Sequence, residues 1–197
     1  MPKTLRNQIA SSLRGQILAG KWPEGTRIKE EALAKQFGVS RGPIRDVFLE
    51  LSKEGFLQGV PNKGASINAF PSPKARAIFL KTRRELEALA LIGGFPNWED
   101  SDLKEMEKIL RYFRVAAEDN ELSEVIQHDM AFHQFIIEHF TKDNLMVVWL
   151  PLMTTLALPY SRHANLLESY EEHVAILNEL KSGHLKSAVK LLKQNIQ

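Results

Sequence analysis

The sequence predicts a mainly α protein of two unequal domains: three helices and a two-stranded hairpin over residues 1–70, then an all-α antiparallel bundle of about six helices over 71–197. Three observations predict it. Apolar residues recur every three or four positions through most of the chain, the period of an amphipathic helix. Strand-like segments are confined to 57–60 and 65–68, around Pro61-Asn62-Lys63-Gly64. Between the two parts, Ala69-Phe70-Pro71-Ser72-Pro73 interrupts regular structure, and Pro73 is placed to open a new helix.

In the first part, Leu5, Ile9, Leu13 and Ile17 recur four apart and predict a first helix closed near Gly20. Pro23-Glu24-Gly25 is a turn. A short second helix follows from about Glu30 to Phe37. A third runs from about Arg41 to Glu54, with Ser40 as its N-cap, Pro43 tolerated in its first turn and Gly55 ending it. In the second part the predicted helices span about 73–92, 99–119, 122–140, 144–157, 166–182 and 184–196. Gly93-Gly94, Asp143-Asn144 and Ser182-Gly183 separate some of them, and Pro151 should kink or shorten the fourth. Short loops between amphipathic helices favour an antiparallel bundle.

Composition bounds the function. With 44% hydrophobic residues, the 197-residue chain can bury a core in each domain. It has no cysteine, so disulfides and zinc ribbons are excluded. No apolar run approaches the ~20 residues that span a bilayer, and the first residues lack the apolar stretch of a signal peptide. The expectation is a cytoplasmic protein with no membrane partner. The net charge of +2 is unevenly spread: residues 1–70 hold 11 Lys/Arg against 6 Asp/Glu, and residues 71–197 hold 15 against 18. A basic first part and a mildly acidic second part suit different partners.

Ala34, Gly38 and Ile44 carry the first motif. A helix-turn-helix needs a small residue where its helices approach, a glycine where the chain turns with positive φ, and a branched apolar residue to seat the second helix. Ile44, Val47, Phe48 and Leu51 form the buried stripe of the third helix, which leaves Arg41 and Arg45 on an outward face near its start. Side chains there can enter the major groove, where arginine matches guanine O6/N7 or phosphate. The hairpin is then a wing, with Asn62, Lys63 and Gly64 at its tip. The predicted DNA-contact set is Ser40, Arg41, Gly42, Arg45, Asn62, Lys63 and Gly64.

The second domain carries a different signal. Leu122, Ile126, Asp129, His133, Ile136 and Phe140 share one helical face that is apolar except for Asp129 and His133. A buried carboxylate needs a partner, and Asp and His four residues apart can jointly hold a divalent metal. His173 interrupts the face of Tyr170, Leu177 and Leu180, and Asn195 that of Leu185, Ala188, Leu192 and Ile196. These four polar residues predict an inward-facing pocket. His128, His139, His163 and His184 lie off these faces or in loops and read as surface residues.

Residues 33–46, Leu-Ala-Lys-Gln-Phe-Gly-Val-Ser-Arg-Gly-Pro-Ile-Arg-Asp, resemble the signature of the GntR family of regulators. Leu13-Arg14-Gly15-Gln16-Ile17-Leu18-Ala19-Gly20, Pro23-Glu24-Gly25, Glu54-Gly55-Phe56-Leu57 and Asn62-Lys63-Gly64-Ala65 extend the resemblance over nearly all of 5–68. Gly42 stands where the family has a small hydroxyl residue, and Asp46 where it has glutamate. The second domain, over about 73–196, is similar to the FCD-type effector domain of one GntR branch. Arg83-Arg84-Glu85-Leu86-Glu87 looks like its opening motif, and Asp129-Met130-Ala131-Phe132-His133 and Glu172-His173 look like its metal-ligand motifs. Asn195 stands where that family has a third histidine, and its amide oxygen is a weaker ligand than imidazole. Six helices fit the shorter of the family's two sensor layouts.

The resemblance implies a winged helix-turn-helix transcription regulator, repressor or activator, acting as a homodimer on double-stranded, pseudo-palindromic operator DNA. It implies modulation by a small organic acid. It also implies one divalent metal (zinc, nickel or manganese) on Asp129, His133 and His173, with Asn195 as a fourth, weaker candidate. Arg83, from the motif, and Arg162, from its position, are the candidates to meet the effector, together with Asn195. Two other classes compete. A metal-dependent hydrolase could use the same three ligands, but no His-Glu-x-x-His motif or evident general base accompanies them, so an enzyme is not expected. An effector-independent DNA-architectural protein would show no small-molecule effect on DNA binding.

Overall fold

The computed structural model describes residues 5–18, 20–60, 64–69, 71–140, 144–157 and 165–197. Met1–Ser72 with Thr154–Tyr160 form one compact unit, and Pro73–Met153 with Ser161–Gln197 form the other.

The first unit contains α1 (Leu5–Leu18), β1 (Arg27–Ile28), α2 (Glu30–Phe37), α3 (Arg41–Lys53), β2 (Leu57–Val60) and β3 (Gly64–Ile67). Its core is the predicted stripes brought together: Ile9, Leu13 and Ile17 of α1, Leu33 of α2, and Ile44, Val47, Phe48 and Leu51 of α3 are all buried. Leu5 departs from its stripe, being 57% exposed, so the buried seam of α1 begins one turn later. Between α2 and α3, Gly38 adopts φ 65° and its N–H, with that of Val39, turns back onto α2. A side chain is disfavoured in that left-handed conformation, which is why glycine sits at the turn.

The predicted two-stranded wing is part of a three-stranded antiparallel sheet in the order β1-β3-β2. The additional strand, β1, pairs Arg27 with Ser66 and Ile28 with Ala65. Two residues carry no readable periodicity, so only the pairing defines this strand. Gly64 opens β3 at φ 90°, where a Cβ would collide with the Ile28 carbonyl oxygen.

Apart from residues 154–157 of α7, which belong to the first unit, the second unit holds six described helices, as predicted: α4 (Pro73–Gly94), α5 (Asp100–Glu118), α6 (Leu122–Glu138), α7 (Met146–Ala157), α8 (Leu166–Lys181) and α9 (Leu185–Asn195). A single 3-10 turn, Phe95–Asn97, follows α4. In this unit α4 packs on α6, α6 on α5, α5 on α8, α8 on α9, and α9 back on α4, which closes a ring. Phe113, Phe132, Ile136, Trp149, Ile176, Leu180 and Leu192 belong to the core inside it.

Gly93 and Gly94 are the last two residues of α4, two beyond its predicted end, and they admit close neighbours. A Cβ on Gly93 would strike the Phe140 ring, and one on Gly94 would lie 2.6 Å from the His139 carbonyl oxygen. Pro151 lies inside α7, where the sequence places it. The ends of α5 and α8 follow ordinary capping chemistry: Glu99 and Asp102 form a capping box, and Asn165 accepts from the Leu167 N–H.

Candidate functional site

Two constellations stand out, one in each unit. In the first, α3 opens at Arg41, directly after Ser40. Ser40 occupies the N-cap position in extended backbone but makes no side-chain capping bond, so its hydroxyl is not used as the sequence predicts. Gly42 and Arg45 are exposed with Arg41 on the outward face, opposite Ile44, Val47, Phe48 and Leu51. Arg41 and Arg45 line one shallow groove together with Arg27, Lys29 and Gly64. Each arginine is already paired: Arg41 Nη2 lies 3.1 Å from Glu31 Oε2, and Arg45 Nε donates to Glu30 Oε2 at 2.8 Å. Behind this face, Arg14 anchors α1 to the end of α3 through both oxygens of Glu54, at 2.8 and 2.7 Å. Asn62 and Lys63 lie outside the described residues.

In the second unit three side chains from α6 and α8, Asp129, His133 and His173, come together. Asp129, His133, His173 and Asn195 are all at most 2% exposed. One ligand atom from each of Asp129, His133 and His173 can be chosen so that all lie within 4.8 Å of one another. His173 Nε2 is 3.3 Å from both Asp129 Oδ1 and His133 Nε2, and His133 Nε2 is 4.0 Å from Asp129 Oδ1.

The ring tautomers follow from the other nitrogens. His173 Nδ1 lies 2.7 Å from the Ser169 carbonyl oxygen. A carbonyl can only accept, so Nδ1 carries the hydrogen and donates, and Nε2 of the neutral ring is a lone pair. His133 Nδ1 lies 2.6 Å from Glu87 Oε2 and donates to that carboxylate. Its Nε2 is then a lone pair as well. Two imidazole lone pairs and a carboxylate oxygen therefore face one another, and Asp129 Oδ1 has no hydrogen-bond partner although it is buried. A cation at its centre, a proton or a metal, would satisfy such a cluster. Tetrahedral ligands at zinc distances stand about 3.3–3.4 Å apart, so the donor set fits a divalent ion.

Glu87 is the residue that sequence reasoning missed. Completely buried on α4, it accepts from Arg83 Nε at 2.7 Å and from Trp149 Nε1 at 2.8 Å as well as from His133. Burial alone would raise its carboxyl, but the Arg83 charge, the His133 charge and hydrogen bond, and the Trp149 N–H together bring it down to about 2. For Asp129 burial again pushes upward, and the adjacent His173 with the nearby His133 and Arg83 outweighs it, so the carboxyl stays below the usual range. Burial holds the His133 imidazole below its ordinary value despite Glu87. The signal for Glu87 was in the sequence: Leu80, Arg83, Glu87 and Leu91 advance by three or four along one face.

Arg83 is buried and uses one nitrogen on Glu87, while its Nη2 has no partner. Asn195 donates from Nδ2 to Glu172 Oε2 at 2.8 Å, and its buried Oδ1 has no partner. Ser169, one helical turn before His173, likewise has a buried, unpartnered hydroxyl. Four of the five unpartnered buried side-chain atoms among the described residues thus belong to this cluster or its helices. Arg162 and His163 lie outside the described residues. Of the histidines read as surface residues, His184 is exposed, His128 stacks on Tyr112, and His139 is half-buried, with its ring stacked on Phe135.

This combination, a winged helix-turn-helix and a helical bundle with a buried polar centre, defines a class of DNA-binding regulator, and comparison with known proteins agrees. Residues 5–67 match the family model described as bacterial regulatory proteins, gntR family, and residues 79–197 match the FCD domain. The chain belongs to the GntR family of transcription regulators, in the branch that carries an FCD domain. That family consists of regulators and not enzymes, so the hydrolase alternative falls. The chain is 33% identical over 132 residues to the HTH-type transcriptional regulator YdhC of Bacillus subtilis, covering 66% of this chain and 58% of that protein. It is 26% identical over 174 residues to the gluconate operon transcriptional repressor of the same organism, covering 87% and 70%. The fold is similar to that of E. coli McbR/YncC, with a TM-score of 0.77 at 21% identity over 98% of this chain and 94% of that one. No described helix is long and apolar enough to cross a membrane.

Proposed function

We propose that the chain is an effector-responsive regulator that reads operator DNA through Ser40, Arg41, Gly42, Arg45 and the wing tip Asn62, Lys63 and Gly64. Its second domain takes a small carboxylic acid. The observation that carries the second half is the buried set of polar atoms without partners: Asp129 Oδ1 and Asn195 Oδ1 are acceptors, and Arg83 Nη2 is a donor. An organic acid bound beside a cation supplies what both kinds lack. Asp129, His133 and His173 would hold a divalent metal such as zinc, nickel or manganese, with Asn195 as a weaker fourth donor, and the metal would offer Lewis-acid positions to the effector carboxylate. Arg83 would take the acid's other oxygen, and Arg162 is the second cationic candidate. The relative named for the gluconate operon supports an acid of this class.

The regulator acts in the cytoplasm as a homodimer, since two-fold symmetry doubles the small interface of one winged head on a palindrome. Effector binding would favour one arrangement of the two heads over the other. Two measurements test the reading. Metal analysis after incubation with zinc, nickel or manganese should find one ion per wild-type chain and none in His133→Ala or His173→Ala. A wild type that takes none of the three ions overturns the metal half. Light scattering should find a dimer, and a monomer both free and on DNA overturns the assembly.

A further inference from the structure

Glu30 and Glu31 were in no motif, yet they occupy the face that would meet DNA. They are the first two residues of α2, and they meet the first two turns of α3. Glu30 is partly shielded, its side chain 24% exposed, and serves the helix start, where a carboxylate is stabilised by the positive end of the helix dipole. Glu31 differs. Its side chain is 78% exposed and its partner Arg41 is 57% exposed. An exposed pair of this kind contributes little to folding, so the consequence of Glu31 falls on the step in which Arg41 exchanges its partner.

We propose that Glu31 is a specificity-determining residue: it holds Arg41 as a built-in counter-ion and weakens binding to non-cognate DNA more than binding to the operator. The inference rests on the reading of Arg41 as a DNA contact. Non-specific binding is driven by the neutralisation of phosphates and release of their counter-ions. A carboxylate 3.1 Å from the Arg41 guanidinium cancels much of that charge and repels phosphates. On the operator the balance differs. There the arginine can hydrogen-bond a guanine edge, and the carboxylate can accept from the amino group of a cytosine or adenine exposed in the major groove. The repulsion is then offset at the cognate sequence and uncompensated elsewhere.

The test uses the full chain, the duplex that wild type enriches from a randomised pool, and a shuffled duplex of the same length and composition. Glu31→Gln should bind the shuffled duplex about three- to tenfold more tightly while operator affinity changes less than about twofold, so the specificity ratio falls. On the shuffled duplex the slope of log affinity against log salt should steepen by up to about 0.9, the increment for one further phosphate neutralised. A merely structural role for Glu31 would shift the melting temperature and leave this slope unmoved. Equal tightening on both duplexes, or an unchanged ratio, overturns the inference. Arg41→Ala in the same assay separates the two readings. Undiminished operator affinity in that variant overturns the DNA-contact reading itself, whereas weakened binding with an inert Glu31→Gln overturns the Glu31 proposal alone.

Discussion

Glu87→Ala is expected to destabilise the helical bundle by about 3–5 kcal/mol, the range for breaking a buried ion pair by removing one partner. One carboxylate takes hydrogen bonds from Arg83, His133 and Trp149, all buried. Its loss leaves a guanidinium without a counter-ion, and Arg83 Nη2 already has no partner. It also frees the His133 ring to change tautomer, so the proposed metal binding should weaken even in the molecules that remain folded. Urea unfolding followed by tryptophan fluorescence gives the shift. A midpoint within error of wild type would show that the three donors find other partners. The double variant Arg83→Met/Glu87→Met should recover part of the loss, because an apolar pair leaves no unpaired charge.

The same carboxylate sets an acid limit. Glu87 titrates at about 2 in the folded chain, against an ordinary 4.5. The stability from this difference is complete above pH 4.5 and is lost as the pH falls through 2. His133, held below its ordinary 6.5, adds an earlier loss, since the unfolded chain takes that proton first as the pH drops below 6.5. Glu87→Gln should flatten the lower part of the stability profile.

The helical elements and three of the cluster's residues were legible because period and burial coincide there. Asp129, His133 and His173 each interrupt an apolar face, and a polar residue on a buried face must find a partner. Glu87 obeys the same rule, since it shares a face with Leu80, Arg83 and Leu91, but it lies in the charged run Arg83-Arg84-Glu85-Leu86-Glu87, where buried Arg83 and Glu87 flank exposed Glu85. β1 was illegible because its two residues are strand only by virtue of β3. The close neighbours of Gly93 and Gly94 were illegible, because a glycine at a helix end does not say what packs against it. The Arg41–Glu31 and Arg45–Glu30 pairs join residues 10 and 15 positions apart on separate helices, outside any local spacing rule.

Arg41→Ala and Arg45→Ala are each expected to weaken operator binding without unfolding the chain. Their side chains are 57% and 64% exposed, so little packing is lost. An arginine that reads a base bidentately contributes about 1–3 kcal/mol of discrimination, roughly 5- to 150-fold. The variants also distinguish two modes of contact. Loss of a base contact relaxes selectivity at one operator position and leaves binding to unrelated DNA nearly as it was. Loss of a phosphate contact weakens all sequences alike and lowers the salt slope by about 1. Arg41, at the first position of α3 and paired with the more exposed glutamate, suits the first mode. Arg45, one turn further on and held by the better-shielded Glu30, suits the second. Affinities at fixed salt, followed by a salt titration on operator and shuffled duplexes, check both, and normal operator binding in both variants would remove the start of α3 from the DNA interface.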